Sequence, residues 1–395
     1  MIERAITREL LAAAAEFPVV TVFGPRQAGK TTLVRTAFPG KPYFSLEYPD
    51  VRAAAAADPR GFLAEVPGGA VLDEVQRLPD LLSYIQGIVD EEGRPGMFVL
   101  TGSHQPRLHQ AVGQTLAGRT AVLSLWPFSL AELRQYGKEW TAFDLVVRGF
   151  FPRVHEEDIE PHRFYGAYLQ TYVERDVRAL INLRDLSQFQ QFLVLLAGRI
   201  GQVVNLTAIG NDVGVSATTI RNWLNVLKAS FVVFELPSWS RNVRKRVVRS
   251  PKIYFTDVGL AAYLLRIRTA DQAARDPLRG NLYENLVIAD IVKGALNRGI
   301  RPELYFFRDS RGNEVDLLVR ERGVLVPIEI KSAATFSTSF LRGIERFRAL
   351  GIDDVAPGFV LYDGEPRFRV RGVRVLNPLH LEDPWETVTA PADGD

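Results

Sequence analysis

Two groups of residues in this sequence have the types and spacing that phosphate chemistry requires. The first is the glycine-bearing segment Gly24-Pro25-Arg26-Gln27-Ala28-Gly29-Lys30-Thr31-Thr32, which matches the P-loop pattern G-x-x-x-x-G-K-[ST]. Backbone N–H groups of such a loop cradle a polyphosphate, its lysine reaches the β- and γ-phosphates, and its threonine holds Mg²⁺. A chance glycine turn is the alternative, but the apolar strand before it and the helix after it favour a P-loop. We therefore expect ATP to bind at residues 24–32, with Thr32 touching the α-phosphate.

A pair of carboxylates supports this nucleotide site. Asp73 and Glu74 follow a short apolar run, and phosphoryl transfer needs both charge neutralisation and a positioned nucleophile. We expect Asp73 to bind in the Mg²⁺ shell and Glu74 to polarise the attacking water; two solvated acids at a strand end are the alternative. Ser103 ends a further strand, where it either senses the γ-phosphate or caps the next helix.

An arginine that reaches a neighbouring subunit's nucleotide would complete such an ATPase site. Arg119, in LAGRT just before a strand, is the candidate for this finger, and Arg107 is the second choice. A solvated or salt-bridged arginine is the alternative interpretation. A finger acts between subunits, so we expect a homo-oligomeric ring, with a hexamer as the working size.

The second group of chemistry-bearing residues lies near the C-terminus. Asp316 lies at the start of one strand, and the next strand carries Glu329 and Lys331 on one face because strand side chains alternate. A hairpin would bring Asp316 to Glu329, where two carboxylates bind Mg²⁺ or Mn²⁺ and the lysine aids phosphodiester cleavage. Glu284, on a preceding helix, would be a third ligand. The tripeptide E-x-K alone is weak evidence, and the alternative is an inactive relic that keeps the fold.

A basic segment in the middle of the chain has the pattern of a helix-turn-helix. Its second helix has an apolar stripe that includes Ile220, Trp223 and Leu227, and its opposite face is polar. The predicted DNA contacts are these polar residues and part of a later basic run: Thr218, Arg221, Asn222, Asn225, Arg244, Lys245 and Arg246. Residues 231–236 would be the wing strand of a winged helix. Such units also serve as protein-interaction modules, and basic runs are often solvated faces, so both interpretations stay open.

Composition and charge restrict the class of protein. The chain has 395 residues, 47% hydrophobic and 24% charged, which is typical of two or three globular domains and excludes disorder along the whole chain. The chain has no cysteine, which excludes disulfides, thiolate zinc sites and cysteine nucleophiles. No apolar run approaches the ~20 residues that span a bilayer, so we expect a cytoplasmic protein with no membrane partner. Residues 151–275 hold 17 Lys and Arg against 11 Asp and Glu, and a polyanion such as DNA would dock there.

The elements that must position these residues follow from periodicity. Strands alternate with helices up to residue 125, which predicts a parallel α/β sheet; helices then dominate, and strands return from residue 303. The predicted domains are an ATPase at 1–140, a helical lid or linker at 141–200, a winged helix at 201–262, a nuclease-like domain at 276–380 and a flexible tail at 381–395.

These motifs resemble a known family. GPRQAGKTT, LDEVQRLP, LTGS, LAGR, FFPRV and TYVERD are similar to segments of the predicted AAA+-superfamily ATPases that carry a C-terminal domain of unknown function, and the resemblance spans roughly residues 1–380. It implies an α/β multidomain fold with a RecA-like αβα P-loop core, a helical middle and a nuclease-like end. The set Glu284, Asp316, Glu329 and Lys331 resembles the PD-(D/E)xK nucleases in their Holliday-junction-resolvase-like arrangement, which implies a restriction-endonuclease-like α/β domain.

Three functions are consistent with this sequence. The leading hypothesis is an ATP-dependent DNA-processing enzyme that couples an ATPase to a Mg²⁺-dependent nuclease, with a winged helix on DNA. The second is a nucleotide-gated interaction switch with an inactive nuclease fold, and the third is a sequence-specific transcription regulator. The basic middle and the acid–acid–lysine set favour the first.

Overall fold

The computed structural model describes residues 2–103, 112–173, 186–240 and 250–390. The chain forms two compact units. Unit 1 comprises residues 1–127, 229–231 and 296–300, and unit 2 comprises residues 128–228, 232–295 and 301–395.

Unit 1 is built on a five-stranded parallel sheet with the strand order β2-β3-β4-β1-β5. Its strands are β1 (Val19–Gly24), β2 (Tyr43–Ser45), β3 (Val71–Asp73), β4 (Phe98–Ser103) and β5 (Thr120–Ser124). Its helices are α1 (Thr7–Glu16), α2 (Lys30–Ala37), α3 (Pro49–Ala57), α4 (Pro59–Ala64) and α5 (Leu81–Glu92). The predicted parallel α/β sheet is therefore confirmed.

Strand β1, which lies between β4 and β5, is apolar because both of its faces are covered. Val19 and Phe23 pack in one core cluster with residues of α5. Val20 and Val22 point the other way and pack with α1 and α2. A strand buried on two sides reads as a continuous apolar run, which is the pattern of β1.

The strand register brings the carboxyl ends of three strands to one edge of the sheet. Gly24 at the end of β1 pairs with Ser103 at the end of β4, and Asp73 ends the adjacent β3. The loop after β1 closes into α2 through Gly29, whose φ of 90° is a conformation that suits glycine. Ligands of open α/β sheets bind at such an edge.

The first part of unit 2 is mainly helical, with one two-stranded sheet. Its helices are α6 (Leu130–Leu133), α7 (Ala142–Arg148), α8 (Pro152–Glu156), α9 (Pro161–Tyr168), α10 (Leu186–Ala197), α11 (Leu206–Val213), α12 (Ala217–Ala229), α13 (Val258–Leu264), α14 (Ala270–Arg275) and α15 (Arg279–Leu296). Strands β6 (Val233–Leu236) and β7 (Lys252–Phe255) pair antiparallel. The turn between α11 and α12 begins at Gly214, which has a φ of 79°, and the apolar stripe predicted for α12 is buried.

The second part of unit 2 is a mixed sheet with the order β12-β13-β11-β10-β9-β8. Its strands are β8 (Glu303–Arg308), β9 (Glu314–Glu321), β10 (Val324–Lys331), β11 (Phe359–Tyr362), β12 (Phe368–Val370) and β13 (Val373–Leu376), and α16 (Arg342–Arg348) lies between β10 and β11 in sequence. The predicted hairpin is present: β9 and β10 pair antiparallel, with Val324 opposite Glu321. A C-terminal sheet separate from the ATPase core is thus observed.

The predicted flexible tail is wrong over part of its length. Residues 384–389 form helix α17, which begins after Asp383, whose side chain accepts from the backbone N–H of Glu386. Trp385 and Val388 are only 2% and 1% exposed, so their burial holds the helix in place. In the part of the chain that the structure describes, no helix is long and apolar enough to cross a membrane.

Candidate nucleotide site and acidic cluster

The P-loop lysine lies inside its own loop. Lys30 begins α2 and is 5% exposed, and its Nζ donates to the carbonyl oxygens of Gly24 at 3.0 Å and Pro25 at 2.8 Å. Burial lowers the pKa of Lys30, while the carboxylates of Glu74 and Asp73 oppose that shift. A buried ammonium that bonds to neutral carbonyls is a strong attractor for an anion such as a polyphosphate.

Asp73 accepts hydrogen bonds from three hydroxyl groups at the edge of the sheet. It is 4% exposed, and its Oδ2 accepts hydrogen bonds from Thr31 at 2.9 Å and from Tyr43 at 2.7 Å. Its Oδ1 accepts from the hydroxyl of Thr101 in β4. Burial and the neighbouring carboxylate raise the pKa of Tyr43, so this phenol stays protonated as a donor. The sequence patterns assigned this role to neither Tyr43 nor Thr101, because both come from other strands and only the fold brings them to Asp73.

Glu74 is held in an uncommon backbone conformation. Its φ of 58° and ψ of 45° lie in the left-handed region, which costs a non-glycine residue about 1 kcal/mol or more. The amide of Gln76 donates to Glu74 Oε2 and, at 2.9 Å, to Ser103 Oγ. The predicted water-polarising acid and the predicted γ-phosphate sensor therefore share one hydrogen-bond network. Gln76 lies in the family-like segment LDEVQRLP, but the sequence assigned it no role.

The remaining loop residues surround the start of α2. Ala28 is buried, whereas Gln27 and Thr32 are exposed, and Pro25, Arg26 and Gly29 complete the turn from β1. The loop fits Mg²⁺ and a triphosphate, because Thr31 and Asp73 present oxygen ligands side by side and Lys30 supplies positive charge. The Mg²⁺ ion takes few protein ligands at phosphate sites, so this pair is sufficient.

Arg119 lies away from the P-loop of its own chain. It precedes Thr120, which pairs with Val19 at the start of β1, so it is at the opposite edge of the sheet from the loop. Its guanidinium bonds to both carboxylate oxygens of Asp90, one of them at 3.0 Å. A role toward a neighbouring subunit's nucleotide stays a prediction, and Arg107 lies outside the described residues.

The β9–β10 hairpin brings the C-terminal acid–acid–lysine set together. Lys331 Nζ lies 2.8 Å from Asp316 Oδ2 and 2.6 Å from Glu329 Oε2. Asp316 also accepts from the backbone N–H of Ile330 at 2.8 Å. The side chain of Lys331 is 30% exposed, against 13% for Asp316 and 6% for Glu329, so solvent reaches this group from the lysine side.

The two carboxylates titrate differently. Burial raises the pKa of Asp316, but Lys331 and Lys252 outweigh it and hold that pKa below its ordinary value. Burial and then the charge of Asp316 raise the pKa of Glu329 well above its ordinary value. The ammonium of Lys331 contacts both carboxylates and offsets part of their negative charge. A Mg²⁺ or Mn²⁺ ion held by Asp316 and Glu329 stays a prediction.

Glu284, the predicted third ligand, is engaged by other partners. Its Oε1 accepts from Lys252 Nζ at 3.1 Å and from the hydroxyl of Tyr254, and Lys252 also lies 2.6 Å from Glu314 Oε1. Burial raises the pKa of Glu284 to about 7, with Lys252 opposing the shift and Asp316 adding to it. Among the residues described, no group of three or more His, Cys, Asp or Glu side chains is arranged to hold a metal ion. The ammonium of Lys252 is thus the cation beside Glu284.

The predicted DNA contacts are only partly described. Thr218, Arg221, Asn222 and Asn225 are all exposed on α12, opposite its buried stripe. Arg244, Lys245 and Arg246 lie outside the described residues. An exposed polar helix face suits nucleic acid or protein, so DNA binding here stays a prediction.

Three known families match successive parts of the chain. The AAA domain family matches residues 16–145, one Domain of unknown function (DUF8612) matches residues 140–271, and another (DUF4143) matches residues 279–381. The AAA match includes the P-loop and the Asp73 network described above. Residues 16–145 therefore form a P-loop ATPase domain of the AAA type.

Two mycobacterial relatives match most of the chain. Uncharacterized protein Rv2008c of Mycobacterium tuberculosis is 33% identical over 370 residues, which cover 91% of this chain and 80% of the relative. Uncharacterized protein Mb2031c of Mycobacterium bovis has the same identity and coverage.

Solved structures also share similarity with this chain. The Walker-type ATPase PABY2304 of Pyrococcus abyssi is 15% identical, with a TM-score of 0.46 over 66% of this chain and 94% of its own. AMPPCP-bound DnaA from Aquifex aeolicus is 14% identical, with a TM-score of 0.30 over 56% and 85%. These solved structures are too dissimilar to assign a family, so the family assignment rests on the mycobacterial relatives. At their identity and coverage, the chain belongs to one family with Rv2008c and Mb2031c.

Proposed function

We propose that ATP is hydrolysed at the P-loop by residues with distinct roles. Lys30 neutralises the β- and γ-phosphates, Thr31 and Asp73 hold Mg²⁺, and Glu74 polarises the attacking water. Ser103 senses the γ-phosphate. The observation that carries this proposal is the contact between Thr31 and Asp73 at 2.9 Å, beside the buried ammonium of Lys30.

The chain's own residues prepare this site before the nucleotide arrives. Tyr43 and Thr101 donate to the same carboxylate as Thr31, so Asp73 is oriented from three sides. Preorganised donors and acceptors lower the cost of ordering the site during reaction. When bound, Mg²⁺ would add positive charge at the transferring phosphate.

Adjacent threonines offer a matched test of these roles. Thr31→Ala removes the hydroxyl that donates to Asp73, whereas Thr32→Ala changes the exposed neighbour. We expect Thr31→Ala to weaken the Mg²⁺ dependence of ATP binding and to slow hydrolysis strongly, and Thr32→Ala to have the smaller effect. Equal effects of the two changes, measured by Mg²⁺ titration of ATP binding, would contradict the assignment.

A second candidate function is metal-dependent DNA cleavage in unit 2, which would make the protein an ATP-dependent DNA-processing enzyme. The observation that favours it is the ion pairing of Lys331 with both Asp316 and Glu329. Asp316 and Glu329 are the residues that would hold Mg²⁺ or Mn²⁺, which when bound would supply Lewis acidity toward a phosphodiester. Lys331, the most exposed of the three, would stabilise negative charge on the phosphate.

The cleavage proposal needs two measurements on the same variants. If the site is active, Asp316→Ala removes Mn²⁺-dependent cleavage of linear, circular and branched DNA, while ATPase turnover is kept. The alternative is an interaction switch with an inactive nuclease fold. It predicts no cleavage by the wild type and no rise in its melting temperature with Mn²⁺.

The helix-turn-helix and the strand pair β6–β7 support a winged helix as the DNA-contacting part of this enzyme. Its second helix α12 exposes Arg221 and three polar residues along one face. A ring of subunits, in which Arg119 completes a neighbour's nucleotide site, belongs to the same proposal. Light scattering with and without ATP tests the ring, and a strictly monomeric protein with full ATPase activity would contradict it.

A further inference from the structure

Arg4 is a buried arginine that no motif of the sequence includes. It is 8% exposed, and the neighbouring Ile2 and Ile6 are also buried. Its Nη1 donates to the carbonyl oxygen of Ala28 at 2.7 Å, and its Nη2 donates to the carbonyl oxygen of Trp126 at 2.8 Å. One guanidinium therefore joins the P-loop to the segment that follows β5.

These two segments already pack closely on the side of β1. The backbone N–H of Leu125 donates to the carbonyl oxygen of Phe23 at 2.7 Å. A Cβ atom on Gly24 would lie only 2.0 Å from the carbonyl oxygen of Leu125, so the first glycine of the loop permits this approach. The P-loop is thus held at its start by Leu125 and near its end by Arg4.

The bond to Ala28 has a directional consequence for phosphate binding. In a trans peptide, the C=O and the following N–H point in opposite directions. Because Arg4 holds the carbonyl of Ala28, the N–H of Gly29 must point away from Arg4. A P-loop binds phosphate through N–H groups at this position, directly before its helix.

We infer that Arg4 is a positioning residue of the ATPase site, which sets the Ala28–Gly29 peptide in the orientation that binds phosphate. This inference rests on the proposed nucleotide role of the P-loop. Arginine suits the task because its planar guanidinium donates two hydrogen bonds in fixed directions. A lysine has the charge but lacks that fork, so it does not hold the two carbonyls of Ala28 and Trp126 in the same way.

The test compares ATP affinity and turnover in Arg4→Ala, Arg4→Lys and a matched control. The control is Arg94→Ala, because Arg94 also donates to a backbone carbonyl, that of Pro67, but far from the P-loop in sequence. We expect Arg4→Ala to weaken ATP binding by about tenfold or more, as for the loss of a charged hydrogen bond. Arg4→Lys is expected to keep the melting temperature near that of the wild type and still to bind ATP more weakly.

Chemical rescue separates positioning from general stability. Millimolar guanidinium should restore part of the ATP affinity of Arg4→Ala and leave Arg94→Ala unchanged. If Arg4→Lys binds and hydrolyses ATP as the wild type does, or if the loss in Arg4→Ala is not rescued, the inference is overturned. Wild type and Lys30→Ala are measured alongside. Failure of the wild type to bind ATP would instead count against the nucleotide site itself.

Discussion

The hydroxyl of Thr31 donates a 2.9 Å hydrogen bond to the carboxylate of Asp73, across 42 residues of sequence. The bond ties the first turn of α2 to the end of β3. It places Asp73, at the end of β3, against the P-loop, which follows β1. A bound triphosphate and its cation would lie there. The nucleotide site is therefore a property of the sheet edge as well as of the P-loop.

Replacing Lys30 by Ala should abolish tight ATP binding. Its buried ammonium would be the charge that meets the phosphates, and because Lys30 is only 5% exposed, water shields that attraction little. The matched control is Lys41→Ala, because Lys41 Nζ also donates to two backbone carbonyls, of Gly68 and Met97. Fluorescent-nucleotide titration measures both variants. Loss of binding in both, or in neither, would contradict the role of Lys30.

The P-loop was predictable from sequence because its chemistry is local. Consecutive residues make the turn, the helix start and the lysine, and α2 begins at Lys30 as the pattern requires. Asp73 was also predictable, because an acid at the carboxyl end of a strand in a parallel sheet lies at the same edge as the loop after β1. Tyr43, Thr101 and Gln76 were not, because contact with Asp73 or Glu74 depends on the order β2-β3-β4-β1, and strand order is not written in any one segment.

Two residues show where sequence reasoning reached its limit. Arg119 precedes a strand that runs parallel to β1, so strand direction alone places it at the edge away from the P-loop. Lys252 follows the basic run in sequence, yet it is 4% exposed and pairs with Glu284 and Glu314. That pairing joins β7 to α15 and β9, and a contact between segments this far apart in sequence leaves no periodic signal.

Arg119 can be tested against its own ion-pair partner. If Arg119 acts on a neighbouring subunit's nucleotide, Arg119→Ala should depress ATPase turnover without weakening ATP affinity. Asp90→Ala breaks the same exposed ion pair but leaves the guanidinium, so it should keep full turnover. Steady-state ATPase assays, at protein concentrations high enough for the subunits to associate, measure both variants. Identical losses in the two variants would mean that the ion pair, and not a finger, is what matters.

Glu284 should make stability depend on pH in a definite direction. Its folded pKa of about 7 lies above the ordinary value of 4.5, so between these pH values the folded state keeps a proton that the unfolded chain has lost. The stability it contributes is present below pH 4.5 and is lost as pH rises toward 7, at about 1.4 kcal/mol per pH unit at most.

The matched variant for this effect is Glu284→Gln, which resembles the protonated acid. Its free energy of unfolding should increase relative to that of the wild type as pH rises from 4.5 to 7, and the difference should level off above pH 7. Denaturant unfolding at a series of pH values measures the difference. A difference that does not change with pH would show that Glu284 is charged throughout, paired with Lys252.

DNA binding by the middle of the chain should depend on both the helix face and the basic run. Arg221→Ala, and separately the combined replacement of Arg244, Lys245 and Arg246 by Ala, should weaken binding to DNA. Each phosphate contact that is lost should reduce the slope of log affinity against log salt by about one. The exposed Arg60, in unit 1, provides a control replacement outside this region. Unchanged affinity and salt slope in both test variants would assign the surface to a protein partner.

The most direct test of the central claim is ATP binding and hydrolysis by Glu74→Gln, measured on the same preparation as the wild type. Glu74 is proposed to polarise water and not to hold the nucleotide, so the variant should bind ATP with nearly wild-type affinity. Its hydrolysis should be slower by about a hundredfold or more, the usual contribution of a general base. Wild-type turnover by Glu74→Gln would contradict the account, because the carboxylate at the end of β3 would then have no part in the chemistry.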